Sequence, residues 1–305
     1  MASIAYITEK QRIEFHRLNG DTKMNFCRAG KIRNFTDFAP GDLLFFLAKG
    51  SERGKKREKG IVGYGTFKKE IRQSVKKMWK EFGQSNGFAS EELFKKALTK
   101  NGEVQKQVQG LYLEDVVFFQ FPIYLSEFNF QLSSKAEGYV YIDKDDQQIT
   151  SKILQQANES GVDAWTVALQ HEEIVSLEED KVKHQVSLLY KKIKDVGYTD
   201  SEKRKAMKLS KALVERRNYD YIKGSKMDCI QFQNEKVWIA IPFVYNKKNM
   251  EQRTQLLLGH CLGYCLGMKK GNANVIIQFK ILTHEPLVDS IKKNIESLNE
   301  WNHGK

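Results

Sequence analysis

Cysteine, proline and histidine are scarce in this chain of 305 residues, which contains four, four and six of them. The cysteines Cys27, Cys229, Cys261 and Cys265 are too scattered to suggest a disulfide framework, which favours reducing surroundings. No apolar stretch reaches the roughly 20 residues that a membrane helix needs, and the opening MASIAYITEK lacks the apolar core of a secretory signal. These absences predict a cytoplasmic chain with no membrane contact.

Several signatures of enzymes are also absent. There is no P-loop, no dinucleotide-binding glycine pattern and no recognisable Ser-His-Asp arrangement. His260, Cys261 and Cys265 lie close in sequence, but only the two cysteines project together from a helix, so we predict core thiols and not a metal site. The residues themselves therefore predict neither a metal nor another cofactor.

Positive charge is what the chain has in excess. It carries 50 Lys and Arg against 38 Asp and Glu, a net charge of +12 with a pI near 9.3. This balance favours polyanions such as nucleic acids as partners, although a lysine-rich solvated surface has the same composition. The length predicts two domains.

The stretch from Pro40 to Phe67 predicts two strands joined by a charged loop. LLFFLA and IVGYGTF are short apolar runs bounded by Gly, Pro and Asp. On the second strand Ile61, Gly63, Gly65 and Phe67 are expected to share one face, which leaves room for another backbone or for a flat ligand. The loop predicts a cationic rim on a small β-barrel, with these candidate phosphate-binding residues: Lys49, Arg53, Lys55, Lys56, Arg57 and Lys59.

Residues 69–83 show a helical pattern. Apolar residues from Ile71 to Phe82 fall on one stripe, and a basic stripe that we also expect to bind phosphates lies almost opposite: Lys69, Arg72, Lys76 and Lys80. A second helix starts at Ser90 and completes a helical insertion, with Leu93, Phe94 and Ala97 inward. The runs GLYLEDVVFFQFPIYL, FNFQL and GYVYI predict further strands, and a helix from about residue 145 to 158 closes the domain.

The order of a first strand, a loop with isolated aromatic and Arg/Asn residues, then PGD, an apolar strand and GIVGYG resembles the EVE domain of the PUA-like superfamily. The resemblance is best over Phe26 to Phe67. It implies a β-barrel with a pocket that takes a single, often modified, base. On this sequence the pocket would use Phe26 for stacking, Arg28 and Asn34 as polar readers, and the strand with Gly63 and Gly65 as its floor; Tyr64 points to the other face.

A connector over residues 159–181 leads to a second domain at 182–305. Its order of helix, β-hairpin, helix and strand resembles the core of the PD-(D/E)xK nucleases, whose acids hold a divalent metal such as magnesium. Asp228 stands at the position of the first acid, but Ala240, Ile241 and Pro242 stand where E-x-K is expected, so the resemblance implies a degenerate copy. The alternatives are Glu215 on the preceding helix, and Glu235 with Lys236 in the hairpin turn, and both are expected at the surface.

The helix before the last strand carries Gly259, Gly263 and Gly267 at intervals of four, which make one flat face. Such a face permits close helix packing, either within the chain or against a second copy. A homodimer through the C-terminal half is therefore an open alternative.

Together these observations predict an α+β protein. It has an N-terminal PUA-like (EVE) β-barrel with a helical insertion over residues 1–158, a helical connector, and a C-terminal α/β domain that is restriction-endonuclease-like if the second resemblance holds. The expected function is binding of DNA or RNA through one base, modified or not. The alternatives are a modification-dependent endonuclease of restriction or defence, and an oligomerisation or docking module.

Overall fold

The computed structural model describes residues 3–28, 34–100, 103–132, 138–144, 146–169, 177–193, 197–216, 218–233, 236–246, 248–270 and 275–301. The chain divides into two compact units, an N-terminal unit over Met1–Asp180 and a C-terminal unit over Lys181–Lys305. Helices and strands alternate irregularly in both, which confirms the predicted α+β class. Among the described residues, every helix is too short or too polar to span a membrane.

The N-terminal unit is built on a six-stranded sheet in the order β2-β7-β4-β3-β1-β8. β1 and β3 are parallel, and the other neighbours in this sheet are antiparallel. The elements are β1 (Ile4–Glu9), α1 (Lys10–Asn19), β2 (Met24–Arg28), β3 (Leu43–Lys49), β4 (Ile61–Gln73), α2 (Val75–Phe82), α3 (Glu91–Ala97), β5 (Thr99–Lys100), β6 (Glu103–Val104), β7 (Val108–Ile123), β8 (Tyr139–Tyr141), α4 (Ile149–Ser160) and α5 (Ala164–Leu169). α6 (Leu177–Ile193) begins in this unit and ends in the next.

This sheet curls into a barrel. Three strands separate β1 from β2 in the sheet order, which would place them about 19 Å apart in a flat sheet. The rings of Tyr6 on β1 and Phe26 on β2 nevertheless lie only 4.9 Å apart. The interior is filled by one buried apolar cluster that includes Ile4, Tyr6, Met24, Phe26, Leu44, Phe46, Phe67, Leu111, Leu113 and Phe118. The predicted barrel with a helical insertion between β4 and β7 is confirmed.

Both faces of the central strands are buried. Alternate residues of β3, such as Leu44 and Phe46, point inward, while Phe45 and Leu47 pack against α4 on the outer face. This explains why LLFFLA is a continuous apolar run and does not alternate.

The helix predicted over 69–83 is wrong in its first half. β4 continues to Gln73 because its backbone stays paired with β7 as far as the match between Gln73 and Val108. Ser74 then caps α2 by accepting a hydrogen bond from the Lys77 N–H at 3.4 Å. Lys69 and Arg72 are therefore strand residues, and the basic stripe is not formed. The register of α3 is also shifted, since Leu93 is 50% exposed while Phe94 is buried.

The C-terminal unit is a four-stranded sheet in the order β12-β11-β10-β9, with helices on its faces. Its elements are α7 (Asp200–Arg216), β9 (Asp220–Tyr221), β10 (Cys229–Gln233), β11 (Lys236–Pro242), α8 (Met250–Lys270), β12 (Ile276–Leu282) and α9 (Asp289–Trp301). β10 and β11 form an antiparallel hairpin, and β12 joins β11 in parallel. The predicted order of helix, hairpin, helix and strand is present, with β9 as an added strand.

The glycine face of α8 is partly used within this unit. A Cβ atom on Gly263 would lie 2.9 Å from Ile193 of α6, and one on Gly267 would lie 2.1 Å from Leu189. These two glycines therefore let α6 and α8 approach closely. No described residue outside the helix itself lies within 4 Å of the corresponding position on Gly259.

Candidate functional site

Phe26, the predicted stacking residue, is part of the closed barrel interior. It is only 2% exposed, and its ring lies 4.9 Å from Tyr6 and 6.3 Å from Phe46. The Arg12 guanidinium covers it at 5.2 Å and donates to the backbone carbonyls of Cys27 and Asn86. Because the interior is filled by the chain's own side chains, Phe26 cannot receive a base without rearrangement of the barrel.

Gly63 and Gly65 allow strands to approach and do not form the floor of an open pocket. A Cβ atom on Gly63 would lie 2.4 Å from the carbonyl oxygen of Val117, and one on Gly65 would lie 3.1 Å from Leu113. The expectation that Ile61 shares their face is also wrong. Irregularities in the pairing of β4 with β7 shift the alternation, so Ile61 packs on the outer face.

Of the two predicted polar readers, only Asn34 has a described side chain. Asn34 is exposed, and its side-chain oxygen accepts a hydrogen bond from Arg72 at 2.6 Å. Arg28 ends β2, and its side chain lies outside the described part of the structure. The pocket predicted from Phe26, Arg28, Asn34, Gly63 and Gly65 is therefore corrected at three positions: Phe26 is enclosed in the core, and Gly63 and Gly65 lie against the neighbouring strand.

A cavity of about 450 Å³ lies instead beside the cationic loop, on the outer face of the sheet. We call it the loop cavity. Its apolar lining is Ile7 of β1, Leu47 of β3, and Phe130 and Leu132 from the segment after β7. Its polar rim comes from the loop and that same segment: Lys56, Arg57, Glu58, Lys59, Ser126 and Gln131.

Two loop residues hold this rim in place. Glu58 accepts hydrogen bonds from the Ser126 N–H at 2.9 Å and from its hydroxyl at 2.7 Å. The Arg53 guanidinium stacks 3.6 Å from the centre of the Tyr124 ring and pairs with Glu127 at 2.6 Å. Arg53, predicted to bind phosphate, is thus committed to the fold of the loop.

Four other loop cations have no such partner among the described residues. Within the described ranges, Lys55, Lys56, Arg57 and Lys59 have no carboxylate within 4.0 Å, whereas Lys49 pairs with Glu9. The pKa of Glu52 is lowered, first by its own backbone N–H and then also by the N–H of Gly50 and the charges of Arg57 and Lys59. The loop therefore presents an excess of positive charge at the cavity.

The predicted basic stripe contributes less. Lys69 lies 5.6 Å from the Tyr112 ring, and Arg72 contacts Glu70 as well as Asn34. Lys76 and Lys80 are exposed on α2, and neither they nor Lys69 and Arg72 line the loop cavity.

Sequence reasoning missed Phe130 and Leu132. FNFQL was expected to form a strand, but a 3₁₀ turn over Leu125–Phe128 interrupts it, and residues 129–132 follow the rim of the cavity. The alternation of Phe128, Phe130 and Leu132 with polar residues was the available signal of an apolar lining.

Asp228 of the C-terminal unit belongs to a buried hydrogen-bonded cluster. One of its carboxylate oxygens lies 2.6 Å from His260 Nε2 and accepts from the Tyr264 hydroxyl at 2.9 Å. Burial, and then the Asp228 carboxylate, raise the pKa of Tyr264 well above its ordinary value. All three side chains are at most 5% exposed, so Asp228 is placed as a structural residue.

The described neighbours of Asp228 supply no second acid. Ala240 pairs with Cys229 on the hairpin, Glu215 is exposed and pairs with Lys211 at 3.6 Å, and Glu235 lies outside the described residues. Across the described ranges, no group of three His, Cys, Asp or Glu side chains is arranged to hold a metal ion. Cys261 and Cys265 are buried in the core, as predicted.

Comparison with known proteins gives little. No protein-family model matches the sequence, and no curated protein matches it significantly. Three solved structures of ASCH from Zymomonas mobilis are similar over 50% of this chain: a Tyr-to-Phe mutant (16% identity, 96% of that chain, TM-score 0.35), a Ser-to-Ala mutant (15%, 95%, 0.37) and the protein itself (15%, 94%, 0.35). At these TM-scores none of them assigns a residue or a role to this chain.

Proposed function

We propose that the N-terminal unit binds nucleic acid at the loop cavity, with one base in the cavity and backbone phosphates on Lys56, Arg57 and Lys59. The observation that supports this most is the combination of an apolar lining with cations that lack carboxylate partners among the described residues. A free phosphate needs only the cations and an apolar ligand needs only the lining, whereas a nucleotide uses both.

The base stacks on the Phe130 ring between Leu47 and Leu132. Stacking on an aromatic side chain is the usual way to hold an unpaired base, and 450 Å³ lies within the roughly 300–1,000 Å³ of small-ligand pockets. Gln131 and Glu58 are the residues able to read its edge, because an amide both donates and accepts and a carboxylate keeps acceptor capacity beyond its two bonds to Ser126. These residues, and not Phe26, Arg28 and Asn34, are proposed to distinguish a modified from an unmodified base.

The resemblance of residues 26–67 to the EVE domain supports the same class of ligand, since that family takes a single base. The proposal differs from the family pattern in the location of the site, because here the barrel interior is filled and the cavity lies outside it.

The test is a fluorescence-anisotropy titration of labelled single-stranded DNA and RNA at several salt concentrations. We expect the affinity to fall with salt and the combined variant Lys56→Gln, Arg57→Gln, Lys59→Gln to reduce the salt slope by about 2, since each phosphate contact on a single strand contributes about 0.7. Phe130→Ala should weaken binding about tenfold without changing that slope.

Lys76→Gln, Lys77→Gln, Lys80→Gln is the matched control, because it removes the same charge from exposed positions on α2. We expect it to change the affinity less than threefold. Equal losses in the two triple variants would show that only overall charge matters and would overturn the proposed site. Binding indifferent to salt, or none to either polymer, would overturn the function itself.

A further inference from the structure

Among the described residues, no helix covers one half of a sheet face in the C-terminal unit. α7 packs on β11 and covers the paired residues Cys229 and Ala240 with Leu213. α7 ends at Arg216, and the next pair along the hairpin, Gln231 opposite Trp238, lies beyond it. In the described part of the chain this leaves an open cleft of about 470 Å³ on the sheet.

This sheet-face cleft has an unusual lining. It presents an aromatic ring from Trp238, three carboxamides from Asn218, Gln231 and Gln233, and the Lys280 ammonium, which lies 5.6 Å from the Tyr219 ring. None of its described lining residues is acidic. Lys236 lies two residues before Trp238 on the same face of β11 and adds a second cation at the edge.

The charge of the whole unit agrees with the cleft. Residues 181–305 contain 24 Lys and Arg against 12 Asp and Glu, so they carry all of the net +12, and residues 1–180 contain 26 of each. Lys203, Arg204, Lys205 and Lys208 are exposed on α7. An anionic ligand is therefore drawn to this unit before any specific contact forms.

We propose that the sheet-face cleft is a second nucleic-acid contact, which binds a single-stranded segment by stacking one base on Trp238. Gln231 and Gln233 hydrogen-bond to the edge of that base, and Lys280 and Lys236 contact the phosphates beside it. An aromatic platform with amides and cations on an open sheet suits an unpaired base, whose faces and edge are both accessible. In a duplex the faces of the bases are covered by their neighbours. An acidic peptide has no base that could stack on the Trp238 ring.

The test uses the full chain with a labelled oligodeoxythymidylate of about twelve nucleotides, within the range of known single-strand sites. Trp238→Ala is expected to weaken binding about tenfold, while Trp238→Phe keeps most of the affinity. Trp301→Ala is the matched control, because Trp301 is also in this unit, is 47% exposed and lies on α9. It should change the affinity less than twofold.

Two further arms make the result specific. An abasic strand of the same length should bind equally to wild type and Trp238→Ala, because it has no base to stack. Repeating the series in the Lys56→Gln, Arg57→Gln, Lys59→Gln background should preserve the Trp238 effect, since the cleft and the loop cavity lie in different units.

Equal losses in Trp238→Ala and Trp301→Ala, or wild-type binding by Trp238→Ala, would overturn the cleft. So would an abasic strand or a polyglutamate peptide that competes as well as the oligodeoxythymidylate, since the ring would then serve no purpose. Stacking is also excluded if Trp238→Phe loses as much affinity as Trp238→Ala while both variants keep the melting temperature of the wild type. If only the loop variant loses affinity, the cleft is not a binding site and the proposed function at the loop cavity stands. If only Trp238→Ala loses affinity, the cleft stands and the proposed site at the loop cavity is overturned.

Discussion

The two units carry charge in different ways. Residues 1–180 contain 26 basic and 26 acidic side chains, whereas residues 181–305 contain 24 basic and 12 acidic ones. In the N-terminal unit many cations are paired, as in Arg53 with Glu127 and Arg17 with Asp163. Its positive surplus is local, and it lies in the loop from Lys55 to Lys59, whose four cations have no carboxylate within 4.0 Å among the described residues. In the C-terminal unit the surplus is general.

This difference separates two uses of a basic composition. A general surplus raises the local concentration of any polyanion but does not position it. A local surplus beside an apolar cavity positions one nucleotide and adds little to long-range attraction. The net charge of +12 alone does not distinguish these cases, since it does not tell which unit carries the surplus.

The largest effect is expected from Asp228→Ala, which tests whether the charged C-terminal unit depends on a buried polar cluster. The substitution leaves His260 and Tyr264 buried without their acceptor, so the free energy of unfolding of that unit should fall by about 3 kcal/mol. Hydrogen exchange measured on peptides of each unit separates the two stabilities. The N-terminal unit should not change.

Asp220→Ala is the control, because the Asp220 side chain is 78% exposed and contacts only Lys183 at 3.8 Å among the described ion pairs. It should cost less than about 0.5 kcal/mol. An Asp228→Ala protein as stable as wild type would mean that the carboxylate is not structural, and a magnesium-dependent cleavage activity lost with it would restore the endonuclease alternative.

A second effect, of about 2 kcal/mol, is expected from Gly63→Ala in the N-terminal unit. The new Cβ would meet the backbone carbonyl of Val117, which cannot move aside as a flexible side chain can. Thermal unfolding of the purified variant measures the loss. If Gly63 instead formed the floor of a base pocket, the substitution would weaken binding and leave the stability unchanged.

Gly259→Ala supplies the contrast in the C-terminal unit. Nothing lies within 4 Å of its added Cβ on α8, so alanine should stabilise the helix by up to about 1 kcal/mol. A loss of dimer formation in this variant alone would support the open alternative that α8 pairs with a second copy.

Local patterns predicted the parts of the fold that depend on local interactions. The strands around LLFFLA and IVGYGTF and the element order of the C-terminal unit follow from apolar runs and their punctuation. The helical period of residues 69–83 misled because pairing with β7, which is about forty residues away in sequence, extends β4 to Gln73. Non-local pairing of this kind is invisible to a window of neighbouring residues.

The prediction of the site was limited in the same way, because local patterns do not show which distant segments meet. The cationic loop was recognised because its charges are close together in sequence, and three of its predicted phosphate-binding cations do line a cavity. The other side of that cavity, Phe130 and Leu132, comes from a distant segment. Arg12, which closes the barrel over Phe26, belongs to a helix that reads as an ordinary surface helix. The residue types predicted the kind of chemistry at the site. They did not predict which side chains lie together in the folded chain.

A smaller effect concerns pH and the C-terminal unit. Burial lowers the pKa of Lys223 from its ordinary 10.5 to about 7, so the unfolded chain binds more protons than the folded one between these values. The stability of this unit should therefore gain from Lys223 as pH rises from about 7 to about 10. Lys223→Met removes this contribution.

Lys223 is only half-buried, so solvent screening reduces the free energy that this pKa change represents. The free energy of unfolding of the variant should therefore gain about 1 kcal/mol on that of the wild type near pH 6.5, relative to the difference near pH 10. Denaturant unfolding at the two pH values, with Lys226→Met as the exposed control, measures the difference. If the free energies of unfolding of Lys223→Met and the wild type differ by the same amount at both pH values, the Lys223 ammonium is not buried in a low-dielectric position.

The smallest effect tests the charge comparison itself. Unpaired like charges repel, so raising the salt from about 0.05 M to about 0.5 M should stabilise the C-terminal unit by up to about 1 kcal/mol, because screening shortens the reach of its net +12. The stability of the N-terminal unit, which has equal numbers of both signs and many close pairs, should change little or fall slightly as those pairs are screened.

Sodium chloride and potassium chloride should act alike, since the effect depends on ionic strength. A C-terminal unit indifferent to salt would mean that its cations are too dispersed to repel, and the same dispersion would weaken the argument that they draw a nucleic acid to the sheet-face cleft.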